Sequence, residues 1–439
     1  MRYVVIFVLS VVLAFRTTAS AQDTVRLTLE AAIERGLSHS YALRNQQLAI
    51  DLADREVDKL KARKMPIVSA GGDLRTNIVL PVTIIPGSAF SNQGQNEADR
   101  KIRFGTTFNI IGSVEATYAL VDPALGADRQ FAEAGRSLQG TLYEGQKQQE
   151  KLIVAEAWYG VFLNQEQARL AGDKLARARA LLAINQVRQE TGTVLPAELL
   201  RAQLDVENAA GTFEQAVNQL IMSRQTLAYR VGLPLNTAIE VAGNPVPELP
   251  EMGVETPAGQ RWEISEQQQR MALAELKIQQ IEQQYKPGLS LYGNAAVQHL
   301  SNNLAVWENW FPLVYAGLQT KIPVFDGQLK RRNQDIVRIE ALSARQNLER
   351  LQEDIAYETA SASTAMQNAV VQWKTAQATL ATAVRLFELE KERYEGGKLL
   401  YSELLNVEYS LREAENNALT ASYNYLLARV RWEKATGRL

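Results

Sequence analysis

Two stretches built on one plan decide how this chain is read: RQETGTVLPAELLRAQL at 188–204 and RYEGGKLLYSELLNVEY at 393–409. Arg188 aligns with Arg393, Gly192 with Gly397, Glu198 with Glu403, and Leu199-Leu200 with Leu404-Leu405, all at one offset (397 − 192 = 205). Each copy predicts a helix that stops near its glycine, a short turn, and a new helix that starts ahead of the leucine pair. Glycine suits the stop because it enters the left-handed region without a Cβ penalty. Two helical hairpins with matching tips make an internal repeat, and that repeat frames every other segment.

The sequence around the tips is strongly helical. From Pro123 to Glu190 there is no further proline, and apolar residues recur at 3–4 spacing: Ile153, Ala157, Val161, Ala168, Ala171, Leu175, Ala178 and Leu182. A helix of ~65 residues is roughly 100 Å long, far more than a globular core uses. The returning helix carries Leu199, Val206, Ala210, Phe213, Val217, Leu220, Leu227 and Val231 and ends at VGLP (231–234). In the second half a long helix is predicted to run to about Glu395. The last helix then follows a heptad-like seam of Leu404, Val407, Leu411, Ala414, Ala418, Ala421, Tyr425, Ala428 and Trp432, suited to lateral helix packing.

Between the helices the period changes to two. Val68, Ala70, Gly72, Leu74, Thr76 and Ile78 alternate with Ser69, Gly71, Asp73, Arg75 and Asn77, and 104–121 repeats the pattern. Strand-like segments recur at 289–298 and 313–322, with Trp307, Trp310, Phe311 and Tyr315 expected at the turn between them. Such strands fit a membrane β-barrel, and equally one half-buried sheet of a soluble domain. Residues 82–103 read as a polar loop, and Pro66 and Pro287 each stop the helix that precedes a strand pair.

Residues 1–21 have a basic start at Arg2, an apolar run from Tyr3 to Phe15, and a close at Ala19-Ser20-Ala21. They are expected to be a secretory signal peptide, with the mature chain starting at Gln22. Four organisational segments follow: the signal peptide 1–21, a first repeat 22–234, a proline-rich linker 235–260 and a second repeat 261–439. Each repeat runs helix, strand, strand, long helix, tip, helix, so the fold class is α+β.

Composition excludes several functions. With 47 Lys+Arg against 49 Asp+Glu there is no broad attraction for nucleic acid. Cysteine is absent and there are two histidines, His39 and His299, so thiol chemistry and a histidine metal site have nothing to stand on. No phosphate-binding or nucleophile-elbow motif occurs. No enzyme activity, cofactor or metal is expected.

The element order, the LTLEAAIERGL opening (27–37), the two R-x-x-x-G-x-x-x-x-x-E-L-L tips and the VGLP ending resemble the TolC-type outer membrane efflux proteins, from about Leu27 to Gly437. The resemblance implies a homotrimer in which four strands per protomer close a twelve-stranded barrel in outer membrane lipid. The helical hairpins would form an α-barrel in the periplasm, whose tip meets an adaptor protein joined to an inner-membrane pump. The implied function is a passive exit duct for efflux or secretion. The alternative from the residues alone is a secreted periplasmic coiled-coil adaptor without a membrane barrel.

The resemblance also assigns residues. In the family, acidic positions six and nine residues after the second tip glycine narrow the periplasmic entrance; here they are Glu403 and Asn406, so one carboxylate ring is kept and the other has lost its charge. Against this stands Glu403 as a solvated first-turn residue favoured by the helix N-terminus. The family's tip latch maps to Tyr394, Leu399 and Glu198, which leaves a Tyr394–Glu198 hydrogen bond but no arginine. Arg188, Gly192, Thr193, Gly397, Lys398 and Leu399 are the expected adaptor-docking positions, with the glycines also serving as turn formers.

Overall fold

The computed structural model describes residues 24–86, 100–242, 261–303, 307–308 and 310–438. The expected signal peptide, most of the linker and the centre of the 82–103 segment lie outside them. In order, the chain forms β1 (Val25–Leu27), α1 (Leu29–His39), α2 (Tyr41–Ala62), β2 (Ile67–Thr76), β3 (Val82–Ile85), β4 (Arg100–Arg103) and β5 (Phe108–Val121). There follow α3 (Pro123–Glu190), α4 (Pro196–Val231), β6 (Ile239–Val241), α5 (Trp262–Gln284), β7 (Gly288–Ser301), β8 (Trp310–Lys321), α6 (Leu329–Glu395) and α7 (Tyr401–Ala435). Both halves share a helix, two long strands, a long helix and a returning helix, and the first half adds β1, a further short helix and the β3–β4 pair.

Two compact units divide the chain, and each repeat contributes to both. The first holds the residues up to Leu48, Thr141–Glu266 and Leu348 onward. Here Thr28 caps α1 by accepting from the Ala31 N–H at 3.3 Å, and the indole of Trp158 donates to the Leu27 carbonyl at 3.0 Å. The core gathers Trp158, Leu227, Met366, Tyr425, Leu426 and Trp432 from four helices. A second cluster near the tips joins Leu181, Ala202, Phe387, Tyr394, Tyr401, Leu404, Leu405 and Leu411. β1 and β6 pair in parallel, Val25 to Ile239 through Leu27 to Val241, so part of the expected linker is a strand.

The second unit, Ala49–Gly140 and Gln267–Asn347, holds the main sheet in the order β2-β5-β7-β8, all antiparallel. Segment 82–103 departs from the loop expectation: β3 and β4 form a short antiparallel hairpin, Val82 opposite Arg103 and Ile85 opposite Arg100. The aromatic cluster is also redistributed. Trp310, Phe311 and Tyr315 lie within β8 and not in the turn, and the two-residue period sends Trp310 to one face and Phe311 and Tyr315 to the other. At one end of the sheet Arg63 ties α2 to α3, pairing with Asp122 at 2.6 Å and with Asp128, while Gln280 of α5 donates to Asp128 at 2.6 Å.

Candidate functional site: hairpin tips and strand faces

Both tips are built from the same backbone device. Gly192 and Gly397 take φ of 72° and 71°, the left-handed region that stops α3 and α6. In each, the residue after the glycine closes the turn: Thr193 N–H donates to Arg188 O and Lys398 N–H to Arg393 O, both at 2.9 Å. Leu195 and Leu400 then precede the new helices, and neither side chain can accept a capping bond. At the second tip Glu403 instead reaches back to the residue before the helix, its Oε2 accepting from the Leu400 N–H at 3.3 Å.

Glu403 and Asn406 are both exposed and stand three residues apart, so they share one face of α7. Two chemical roles are open to the Glu403 carboxylate: it satisfies a helix N-terminus, and it presents negative charge to solvent. Gly192, Thr193, Gly397 and Lys398 lie exposed at the tips, whereas Leu399 is half-buried against the tip cluster.

Tyr394 does not bond Glu198. Its ring is buried, and its hydroxyl donates to Oδ1 of Asn185, a fully buried residue one helical turn before Arg188. Asn185 thus takes the hydroxyl that the family pattern assigns to the acidic position. Burial, the largest influence, pushes the Tyr394 hydroxyl pKa up, while Arg188 pulls it down. Arg188 itself turns inward: Nη2 donates to the Tyr394 carbonyl at 2.6 Å and the Glu395 carbonyl at 3.3 Å, and the guanidinium sits 4.4 Å from the centroid of the Tyr394 ring. It binds the first tip to the second and is only half exposed. Tyr401 adds a third tie, donating to Asp205 of α4 at 3.2 Å. Asn185 and Asp205 carried no sequence signal: a single polar residue in a long helix looks the same whether it meets water or a partner.

Beyond the tip a cavity of about 470 Å3 is lined by Lys174, Asp205, Asn208, Glu408 and Arg412. Glu408 is buried, and its Oε1 has no hydrogen-bond partner among the described residues. Burial pushes its pKa above the usual carboxylate range, opposed by Arg177 and Lys174. Arg177 is held by Glu415 at 3.1 Å. Among the described residues no group of carboxylates and histidines could hold a metal ion.

The main sheet keeps its formal charges on one of its two faces. Residues directly opposite in the register share a face. One face carries the rows Val68-Ala116-Gly293-Ala316, Ala70-Val114-Ala295-Val314, Gly72-Gly112-Val297-Pro312 and Leu74-Ile110-His299-Trp310. It holds no Asp, Glu, Lys or Arg, yet Val68, Leu74, Val114, Leu291, Val297, Val314 and Leu318 are all exposed. Every formal charge on the four strands (Asp73, Arg75, Glu115 and Lys321) falls on the other face, beside Ser69, Asn294, Gln298 and Gln319. Among the described residues the edges β2 and β8 have no strand partner beyond them, and no helix is long and apolar enough to cross a membrane.

Residues 258–438 match the sequence profile of a family described as outer membrane efflux protein. No curated protein matches the sequence significantly. Several solved structures share the fold. A membrane protein from Pseudomonas aeruginosa superposes with a TM-score of 0.73 at 17% identity, covering 93% of both chains. The CmeC outer membrane channel of Campylobacter jejuni gives 0.72 at 16% identity, over 93% of this chain and 85% of that one. The open state of the MtrE outer membrane channel of Neisseria gonorrhoeae gives 0.71 at 16% identity, over 93% and 88%. The resemblance expected from the tips is thus matched in sequence over residues 258–438, and the solved structures share the fold over nearly the whole chain. Two of these three structures are described as outer membrane channels.

Proposed function

We propose that this relative of the outer membrane efflux proteins is a passive exit duct, in which three copies close one barrel in the outer membrane and conduct substrate handed on from an inner-membrane pump through a periplasmic adaptor. The observation that carries the reading is the uncharged, exposed face of the four-stranded sheet, backed by a face that holds all the strand charges. In water an exposed apolar face of this extent is a liability; against lipid it is the required surface, with the charged face turned to an aqueous lumen.

The open edges supply the stoichiometry. An unpaired backbone group in hydrocarbon costs several kcal/mol, so a sheet of four strands cannot remain open there. Three copies of a four-stranded sheet give 3 × 4 = 12 strands and no edge. The helices agree with this: α4 leaves Leu200 60% and Leu204 58% exposed, an apolar strip suited to a neighbouring copy.

Glu403, one per copy, would then ring the periplasmic entrance and favour cations, with Asn406 adding no charge. Gly192, Thr193, Gly397 and Lys398 form the exposed tip available to an adaptor. Tyr394 with Asn185, and Arg188 with the second-tip carbonyls, hold the tips together in place of the Tyr394–Glu198 bond.

Planar-bilayer recording on protein extracted from membranes in detergent tests this. Discrete conductance steps from a trimeric species are expected, with Glu403→Gln reducing the preference for cations. A protein that purifies without detergent and never inserts would instead be a periplasmic coiled-coil adaptor.

A further inference from the structure

We infer that Glu115 is a second selectivity-determining residue of the duct, acting from the barrel wall and independent of the hairpin tips. The inference rests on the trimeric-barrel reading, because only closure brings three copies of the charged face around one lumen.

The four charges of that face are not equivalent. Asp73 and Arg75 neutralise each other through a 2.9 Å ion pair. Lys321 stands at the end of β8 opposite Gly288, where the strands give way to helices. Glu115 lies in the middle of the wall, in the row Ser69-Glu115-Asn294-Tyr315. It is exposed, and no cation pairs with it among the described residues; its one partner is the Asn294 amide, donating to Oε1 at 3.0 Å. Tyr315 and Lys321 are six residues apart along β8 (321 − 315 = 6). At ~3.3 Å per residue, Glu115 is therefore roughly 20 Å from Lys321 along the strands, about two Debye lengths at 0.1 M salt. The two are electrically separate stations of opposite sign.

The Asn294 contact fixes where the carboxylate sits and also makes a clean test available. Gln at 115 keeps an oxygen for the same amide donor and removes only the charge. Three unit charges seen from roughly one Debye length away change the cation-to-anion permeability ratio by about fourfold.

The experiment is the reversal potential of the detergent-purified, full-length trimer across a KCl gradient near 0.1 M. Glu115→Gln is expected to lower the potassium-to-chloride ratio by about fourfold, Glu115→Lys to lower it further, and Lys321→Gln to raise it. Each shift adds to that of Glu403→Gln, and each collapses near 1 M salt, where the screening length is only about 3 Å. Channels of normal conductance whose ratio ignores the charge at 115 would overturn the inference and leave the duct intact. Wild-type protein that forms no channels would overturn the barrel reading and this inference with it.

Discussion

The returning helices α4 and α7 descend from the same repeat yet live in different surroundings. Leu405 is 9% exposed, and its counterpart Leu200 (405 − 205 = 200) is 60% exposed. Glu408 is buried while its counterpart Gln203 is exposed, and Arg188 grips the neighbouring tip while Arg393 pairs with Glu390 on its own helix. One sequence plan thus yields a helix enclosed within its own chain and another with a free apolar strip. The motif specifies a hairpin; the neighbours decide which copy becomes core.

The sharpest way to break this contrast is to truncate the paired leucines. Leu405→Ala is expected to cost about 2–5 kcal/mol of folding stability, the range for a buried leucine. Leu200→Ala should cost less than about 0.5 kcal/mol in the isolated chain and should instead weaken the trimer. Chemical denaturation and size-exclusion chromatography in detergent separate the two effects, and equal destabilisation would erase the distinction.

The arginines come next. Arg188→Ala removes bonds to two carbonyls and a ring contact, and should cost about 1.5–3 kcal/mol. Arg393→Ala removes an exposed pair one turn apart, worth about 0.3–0.5 kcal/mol. Equal losses in urea unfolding would mean that Arg188 does not bind the tips together.

The smallest effect concerns pH. Burial raises the pKa of Glu408, with Arg177 and Lys174 opposing and Asp205 reinforcing. A carboxyl whose folded pKa is raised keeps a proton that the unfolded chain has already released. Stability therefore falls as pH climbs from the ordinary value of 4.5 through the folded one. Glu408→Gln should flatten that slope and raise the melting temperature at neutral pH, whereas Gln203→Ala should alter neither. A melting curve of Glu408→Gln that keeps the wild-type pH slope would show that another group sets it.

Much of this architecture can be read from residues alone. The period of two at 68–78, the prolines at 66 and 287 and the matched glycines place strands, helix stops and tips close to where they lie. Three features cannot be read that way, each for a physical reason. The β1–β6 pair joins two three-residue strands more than two hundred positions apart, too short for any period to register. The β3–β4 hairpin alternates poorly because Arg100, Lys101 and Arg103 sit where apolar residues would announce a strand. The partner of Tyr394 is set by packing depth: the family pattern points to Glu198, while Asn185 is buried within reach of the hydroxyl. Similarly, alternation divides the sheet into two faces, but only the register shows that all four strand charges share one of them.

The unpaired edges β2 and β8 carry a genetic consequence. On the three-copy reading, each subunit must offer both edges to its neighbours, so a ring is only as good as its worst member. A copy able to enter the ring on one side but damaged on the other would poison assemblies made mostly of sound subunits. Expressed in equal amounts, such a variant would leave only about one ring in eight free of it, the cube of one half. Edge mutations in this chain should therefore be dominant, while mutations that simply unfold the subunit should be recessive.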